Sequence, residues 1–184
     1  MLATTGEALI DRRDMALMLI ARDMLARRSE LVATQVEDLA FAADGSATVL
    51  IRRSKTDPAG QGAILWLAPR TVVALRGWLE AAGITTGSIF RSVAKGGNTV
   101  GEALEPGEVA RLFKKLTKRA GIDSTQISGH SARVGMAQDL VAHGAELPEV
   151  MQAGRWKSPT MPARYVERLT AGRGAVAHYY GRRG

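Results

Sequence analysis

The 184-residue chain contains no cysteine, which excludes disulfides and every zinc or iron–sulfur site built on thiolates. Histidine occurs three times and aromatic residues make up 5% of the chain, so any of them that falls in a motif carries weight. No apolar run reaches the roughly 18 residues that suggest a membrane span. The opening stretch "MLATTGEALIDRRD" lacks the basic-then-apolar layout of a secretory signal. There is no H-E-x-x-H and no acidic cluster at ligand spacing, so no metal site is expected. The glycine pairs Gly60-x-Gly62 and Gly172-x-Gly174 lack the strand-then-helix context of a nucleotide fingerprint. What remains is an intracellular, cytoplasmic protein with one domain's length of chain, 46% hydrophobic and 23% charged, enough to build a core.

Positive charge is what the chain has in excess. Its net charge is +7, and the imbalance is confined to one half. Residues 1–92 carry 11 Lys/Arg against 10 Asp/Glu, whereas residues 93–184 carry 14 against 8. A basic half suggests a polyanionic partner, nucleic acid being the commonest. A basic domain with no such ligand is the alternative.

Hydrophobic periodicity predicts a mainly α fold with a small antiparallel β-sheet. A helix over 12–26 has its apolar stripe at Met15, Leu19, Met24 and Leu25, with Asp11 placed to cap it. A second helix follows near 29–36. "ATVLIRR" (47–53) and "GAILWLA" (62–68) read as strands of a hairpin joined by the turn-rich "SKTDPAGQG". Pro69 opens a helix to about 81, with Val72, Val73, Leu75 and Leu79 inward and Gly83 as its stop. "SIF" (88–90) reads as a third short strand, followed by a Gly-rich loop over 94–107. The helix from about 107 to 120 sets Val109, Leu112, Phe113 and Leu116 against Lys114, Lys115, Lys118 and Arg119. That basic face is either solvated or laid along a phosphate backbone. Helices over 131–143, 147–154 and 159–168 complete the pattern before the tail "AGRGAVAHYYGRRG".

The stretch "SGHSARVG" (128–135) places His130 and Arg133 at the start of a helix. Unpaired backbone N–H groups and the positive end of the helix dipole favour an anion there. Upstream, "ARRSEL" puts Arg27 and Glu30 one helical turn apart on a shared face, with Arg28 pointing elsewhere. Lys55 lies at the tip or flank of the hairpin. Downstream come "AGRW", with Arg155 and Trp156, and then "ARYVERL", with Tyr165 nine residues after the tryptophan.

The ordered set Arg27, Glu30, Lys55, His130-x-x-Arg133, Trp156 and Tyr165 resembles the tyrosine recombinase (phage integrase) family, and "GHSARVG" and "QAGRW" resemble its Cre-like branch. The resemblance spans about residues 12–170 and covers the catalytic domain. Residues 1–11 then form an N-terminal tail or linker remnant. The helical DNA-clamping domain usual in the family has no counterpart, which implies a fragment or a truncated relative. Residues 171–184 form a C-terminal tail in which Val176, Tyr179 and Tyr180 share one face of a protomer-docking helix.

The resemblance implies site-specific DNA recombination by transesterification. Tyr165 attacks a phosphodiester of double-stranded DNA and forms a 3′-phosphotyrosyl bond, with no metal, ATP or other cofactor. A free phenol has a pKa of about 10, so only about 0.1% is phenolate at neutral pH and it needs electrostatic help or a base. Arg27 and Arg133 fork onto the non-bridging oxygens. Lys55 protonates the leaving 5′-oxygen. His130 either accepts the tyrosine proton or hydrogen-bonds the phosphate, and Trp156 donates its indole N–H. Glu30 either orients a catalytic residue or makes a helix-stabilising ion pair. Lys114, Lys115, Lys118 and Arg155 are DNA-contact candidates. Tyr179 and Tyr180 read as packing residues, and His143 and His178 match no motif position. Partners are DNA and further protomers in a tetrameric synapse. A type IB topoisomerase-like enzyme and a non-catalytic DNA-binding remnant are the alternatives.

Overall fold

The computed structural model describes residues 8–53, 62–94, 97, 99–170, 179 and 180. Helix α1 (Leu9–Asp23) runs through the middle of the fold, and its residues 16–21 are all buried. A helix apolar on every side is one covered on every side. It packs against α3 (Pro69–Ala82), α5 (Ser131–Ala142), α2 (Arg28–Ala33) and strand β3 (Ala63–Leu67). The helix starts at Leu9 rather than at 12, because Leu9 packs on the core and extends the apolar stripe by one turn. Asp11 is therefore no cap: it is buried inside the first turn, and its carboxylate accepts a hydrogen bond from Arg119.

Strands β1 (Leu39–Phe41), β2 (Ala47–Ile51) and β3 form an antiparallel sheet in the order β1–β2–β3, with Val49 opposite Leu65 and Thr48 opposite Trp66. Ala47, Val49, Ile51 and Leu67 face the core, while Ile64 and Trp66 lie 73% and 58% exposed on the other face. The predicted hairpin is thus present, although its turn and Lys55 lie outside the described residues. Helix α3 begins at Pro69 and stops at a left-handed Gly83 (φ +63°), as predicted. Val73, expected inward, is exposed, because the buried stripe runs through Thr71, Val72, Leu75, Trp78 and Leu79 and leaves residue 73 off its edge.

The segment 88–90 is not a strand of its own. Ser88 makes an isolated bridge to Gln35, and Ile89 and Phe90 are buried. The Ile89 carbonyl accepts the indole N–H of buried Trp78 at 2.8 Å, which satisfies both groups in the interior. The strands lie just beyond, where β4 (Arg91–Val93) pairs with β5 (Val100–Ala103) inside the predicted Gly-rich loop. Helix α4 (Pro106–Arg119) buries Val109, Leu112, Phe113 and Leu116 as its periodicity requires.

The buried apolar residues form two clusters. The larger joins α1, α2, the three-stranded sheet, α3 and α4. The smaller unites Leu25, Ala137, Val141, Val150 and Val166, and so ties the end of α1 to α5, α6 (Leu147–Gly154) and α7 (Thr160–Thr170). Of the motif residues, Trp156 and Tyr165 pack on the smaller cluster and Arg133 bonds the Leu25 carbonyl beside it. Among the described residues, no helix is long and apolar enough to cross a membrane.

Candidate active site

Helix α1 ends without glycine. Leu25 takes a left-handed conformation (φ +43°), its N–H bonding the Arg22 carbonyl while the Ala26 N–H bonds that of Ala21. This two-bond stop normally uses glycine, since a Cβ disfavours the left-handed region. The turn leaves the Leu25 carbonyl facing inward, and Arg133 Nη1 donates to it at 2.9 Å. Arg133 Nη2 donates to the Gly154 carbonyl at the end of α6. The guanidinium therefore bridges two helix ends, 4% exposed, and is covered by the Trp156 ring at 4.2 Å. Burial, and then the charges of Arg27 and Arg155, push its pKa down to about 10. It stays cationic at neutral pH.

Arg27 sits immediately before α2 as its cap residue, not within a helix beside Glu30. Its backbone N–H donates to Glu30 Oε2 at 3.0 Å and its Nη1 to Oε1 at 2.7 Å. Glu30 thus makes the expected ion pair with Arg27 and also closes the helix start. Arg155 also reaches this carboxylate, donating from Nη2 to Oε2. Arg155, expected on DNA, directs its guanidinium to Glu30 and to the Met24 carbonyl. Two guanidiniums thus pair with one buried carboxylate, and that of Arg133 is near enough to feel all three charges, an excess of positive charge that favours an anion.

Trp156 meets Tyr165 edge to face, with centroids 6.1 Å apart and planes at 65°. Both rings pack on the smaller core cluster. Gln138 Nε2 donates to the Tyr165 carbonyl at 3.0 Å and so links α5 to α7. Tyr165 borders an open cavity of about 780 Å³ between those helices, shared with Val134, Gln138, Met161 and Arg164. Side-chain contacts therefore run from Arg27 through Glu30 to Arg155, and from Arg133 through Trp156 to Tyr165, and the peptide between Gly154 and Arg155 joins the two series.

His130 is the exposed cap residue of α5. Partial burial, followed by the charges of Arg133, Arg28 and Arg27, holds its pKa below the usual imidazole value of 6.5. The ring is neutral at pH 7 and can accept a proton. As pH falls below 6.5 the unfolded chain binds this proton before the folded one, so both the neutral ring and its contribution to stability are lost with acidification. The covalent attachment to DNA that the sequence resemblance implies should show an acid limb below pH 6.5 that disappears in His130→Gln. An identical limb in that variant, read from pH–rate profiles, would assign the titration elsewhere.

The basic face of α4 is divided. Lys115 bonds Asp14 at 3.2 Å and Arg119 bonds Asp11, both acids belonging to α1. Lys114 and Lys118 are exposed, with no ion-pair partner among the described residues. Tyr179 and Tyr180, read as packing residues, are exposed and contact each other edge to face at 5.1 Å. The rest of the docking-helix tail, including Val176 and His178, lies outside the described residues.

Sequence reasoning passed over Gly154. A Cβ there would fall 1.8 Å from Cζ3 of the Trp156 ring, so the indole lies directly on the glycine. The signal was available, since Gly154 stands inside the quoted "QAGRW". The left-handed Leu25 had no comparable signal, because nothing in a leucine announces a positive φ.

The sequence matches the phage integrase family over residues 1–171. It is 35% identical over 167 residues to an integrase/recombinase XerD homolog of Selenomonas ruminantium, covering 88% of this chain and 49% of that protein. It is 30% identical over 179 residues to the recombinase Cre of Escherichia phage P1, covering 90% and 52%. Among solved structures, the XerA recombinase superposes with a TM-score of 0.71 at 18% identity, over 90% of this chain and 54% of that one. The XerH site-specific recombinase bound to its difH substrate in a pre-cleavage complex gives 0.68 at 17%, over 89% and 46%. The fold is that of these recombinases' matching portions, and the chain belongs to the phage integrase (tyrosine recombinase) family. It spans about half the length of the curated relatives it matches.

Proposed function

We propose that this chain is the strand-transferring part of a site-specific DNA recombinase. The observation that carries the reading is the excess of guanidinium charge around Glu30 and Arg133, joined through Trp156 to Tyr165. A phosphodiester presented to that cluster has its non-bridging oxygens on Arg27 and Arg133, where charge grows in the transition state. Tyr165 Oη forms a bond to phosphorus as the bond to the 5′-oxygen breaks. Neutral His130 takes the phenol proton, and Lys55 gives one to the leaving oxygen. One phosphoester replaces another, so the bond energy is retained for religation without ATP. Lys114 and Lys118 are free to follow the flanking phosphates, which makes binding salt-dependent. Strand exchange requires further protomers on the same DNA, and a synapse of four is the arrangement we favour. The protein then acts inside the cell, on DNA.

The topoisomerase-like alternative gains nothing from relatives that are recombinases by name. A nicked duplex whose short 5′-hydroxyl fragment diffuses away after cleavage tests the reading. A denaturing gel should show the DNA covalently attached through a 3′-phosphate, with equal yield in excess EDTA because the cations of the site are side chains. No adduct on a panel of duplexes carrying inverted repeats, or a 5′-linked adduct, would refute it.

A further inference from the structure

We propose that Arg155 is a positioning residue that takes up one oxygen of Glu30 and so leaves the charge of Arg27 available to an incoming phosphate. This inference rests on the recombinase reading above and adds a residue to it.

The first observation is a backbone one. Arg155 has φ +56° just after α6, a conformation that a residue with a Cβ adopts only at a cost. Helices α3, α4 and α5 reach the same left-handed stop with Gly83, Gly121 and Gly144. Arginine at this position gains nothing for α6 itself. It also leaves its Nε buried with no hydrogen-bond partner, a second cost. Two unfavourable features at one residue call for a compensating contact.

That contact is the Glu30 carboxylate, 2% exposed. One oxygen accepts from Arg27 Nη1 at 2.7 Å and the other from Arg155 Nη2 at 2.5 Å. Arg155 Nη1 bonds the Met24 carbonyl at 3.1 Å, one residue before the Leu25 carbonyl that holds Arg133. Arg155 thereby fixes the spacing between the Arg27 corner and the Arg133–Trp156 corner. Charge acts in the same direction. Arg27 and Glu30 alone are neutral as a pair, whereas Arg27, Glu30 and Arg155 together carry one net positive charge next to Arg133. Without Arg155, the buried carboxylate would draw the whole of the Arg27 guanidinium to itself.

Arg155→Gly is the decisive variant, since glycine suits the left-handed backbone and this relief offsets part of the cost of taking one ion-pair partner from the buried Glu30, and its thermal midpoint is measured alongside. Its single-turnover rate of adduct formation at saturating DNA should fall about 10- to 100-fold, the equivalent of one lost charge-assisted hydrogen bond. Millimolar ethylguanidinium should restore part of it, and Arg155→Lys should lie between. In an Arg27→Ala background, Arg155→Gly should cost nothing further. Full additivity there, or a wild-type rate in Arg155→Gly, would overturn the proposal. A separate arm needs no DNA: the Arg27 Nε–H NMR resonance should move in Arg155→Gly and also in Glu30→Gln. An unmoved resonance overturns the positioning role whether or not the wild type forms an adduct, whereas a moved resonance with no wild-type adduct upholds the Arg155–Glu30–Arg27 linkage and refutes only the recombinase reading.

Discussion

Replacing Tyr165 by phenylalanine should reduce covalent attachment to a nicked duplex to background while leaving fold and DNA affinity in place. The change removes one oxygen and keeps the ring that meets Trp156 edge to face. Among the described residues the phenol hydroxyl has no hydrogen-bond partner, so its loss leaves no buried group unpaired. Stability should therefore stay within about 0.5 kcal/mol of wild type. Nothing else in the site replaces the nucleophile, because His130 and the guanidiniums act on charge and protons. Tyr179 and Tyr180 are the only other tyrosines, and each changed to phenylalanine should leave the adduct yield untouched. Persistence of the adduct in Tyr165→Phe would move the nucleophile to one of them and dismantle the assignment of the motif. Equilibrium binding to the intact duplex, measured alongside, separates loss of chemistry from loss of grip.

The contact between Trp156 and Tyr165 also indicates which parts of this molecule could be read from the chain. Helices α3, α4, α6 and α7 were legible because each has a clear apolar period, sharpened around α3 by the start and stop signals Pro69 and Gly83, whereas the period of α5 is weak. The small strands were harder. Residues 91–93 and 100–103 are too short and too polar to announce themselves, and they exist because they pair with each other. The start of α1 was misplaced because Asp11 looks like a cap. Only the tertiary structure, through Arg119 on α4, shows a carboxylate buried within the helix. At the site, residue types and order single out Arg27, Glu30, Arg133, Trp156 and Tyr165, and the fold pairs Arg27 with Glu30 and packs Arg133, Trp156 and Tyr165 in turn. What the chain could not disclose was direction. Arg155 looks like any basic residue beside a tryptophan, yet its left-handed backbone turns it onto Glu30. A positive φ at a leucine or an arginine is decided by packing across elements, and no local pattern records it.

Gly154→Ala should be the most damaging substitution that removes no functional group. In a helix, alanine is ordinarily favoured over glycine by about 0.5–1 kcal/mol. Here the new methyl would lie 1.8, 2.2 and 2.5 Å from three carbons of the Trp156 ring, so the indole has to leave. Arg133 then loses the aromatic face above it, Tyr165 loses its edge contact, and the Gly154 carbonyl that anchors Arg133 Nη2 shifts with the helix end. Overpacking of this kind costs about 1–3 kcal/mol of stability. The rate of adduct formation should suffer more, about 100-fold, because displacing reacting groups by about 1 Å has that consequence. Trp156→Ala supplies the control. With the ring gone, the three atoms nearest the added methyl are gone as well, so Gly154→Ala/Trp156→Ala should be no slower and no less stable than Trp156→Ala alone. Denaturant unfolding and single-turnover trapping on the three variants measure both quantities. Costs that simply add in the double variant would mean that Gly154 matters for some reason other than the indole lying on it, and that Trp156 is not what holds Arg133 and Tyr165 in register.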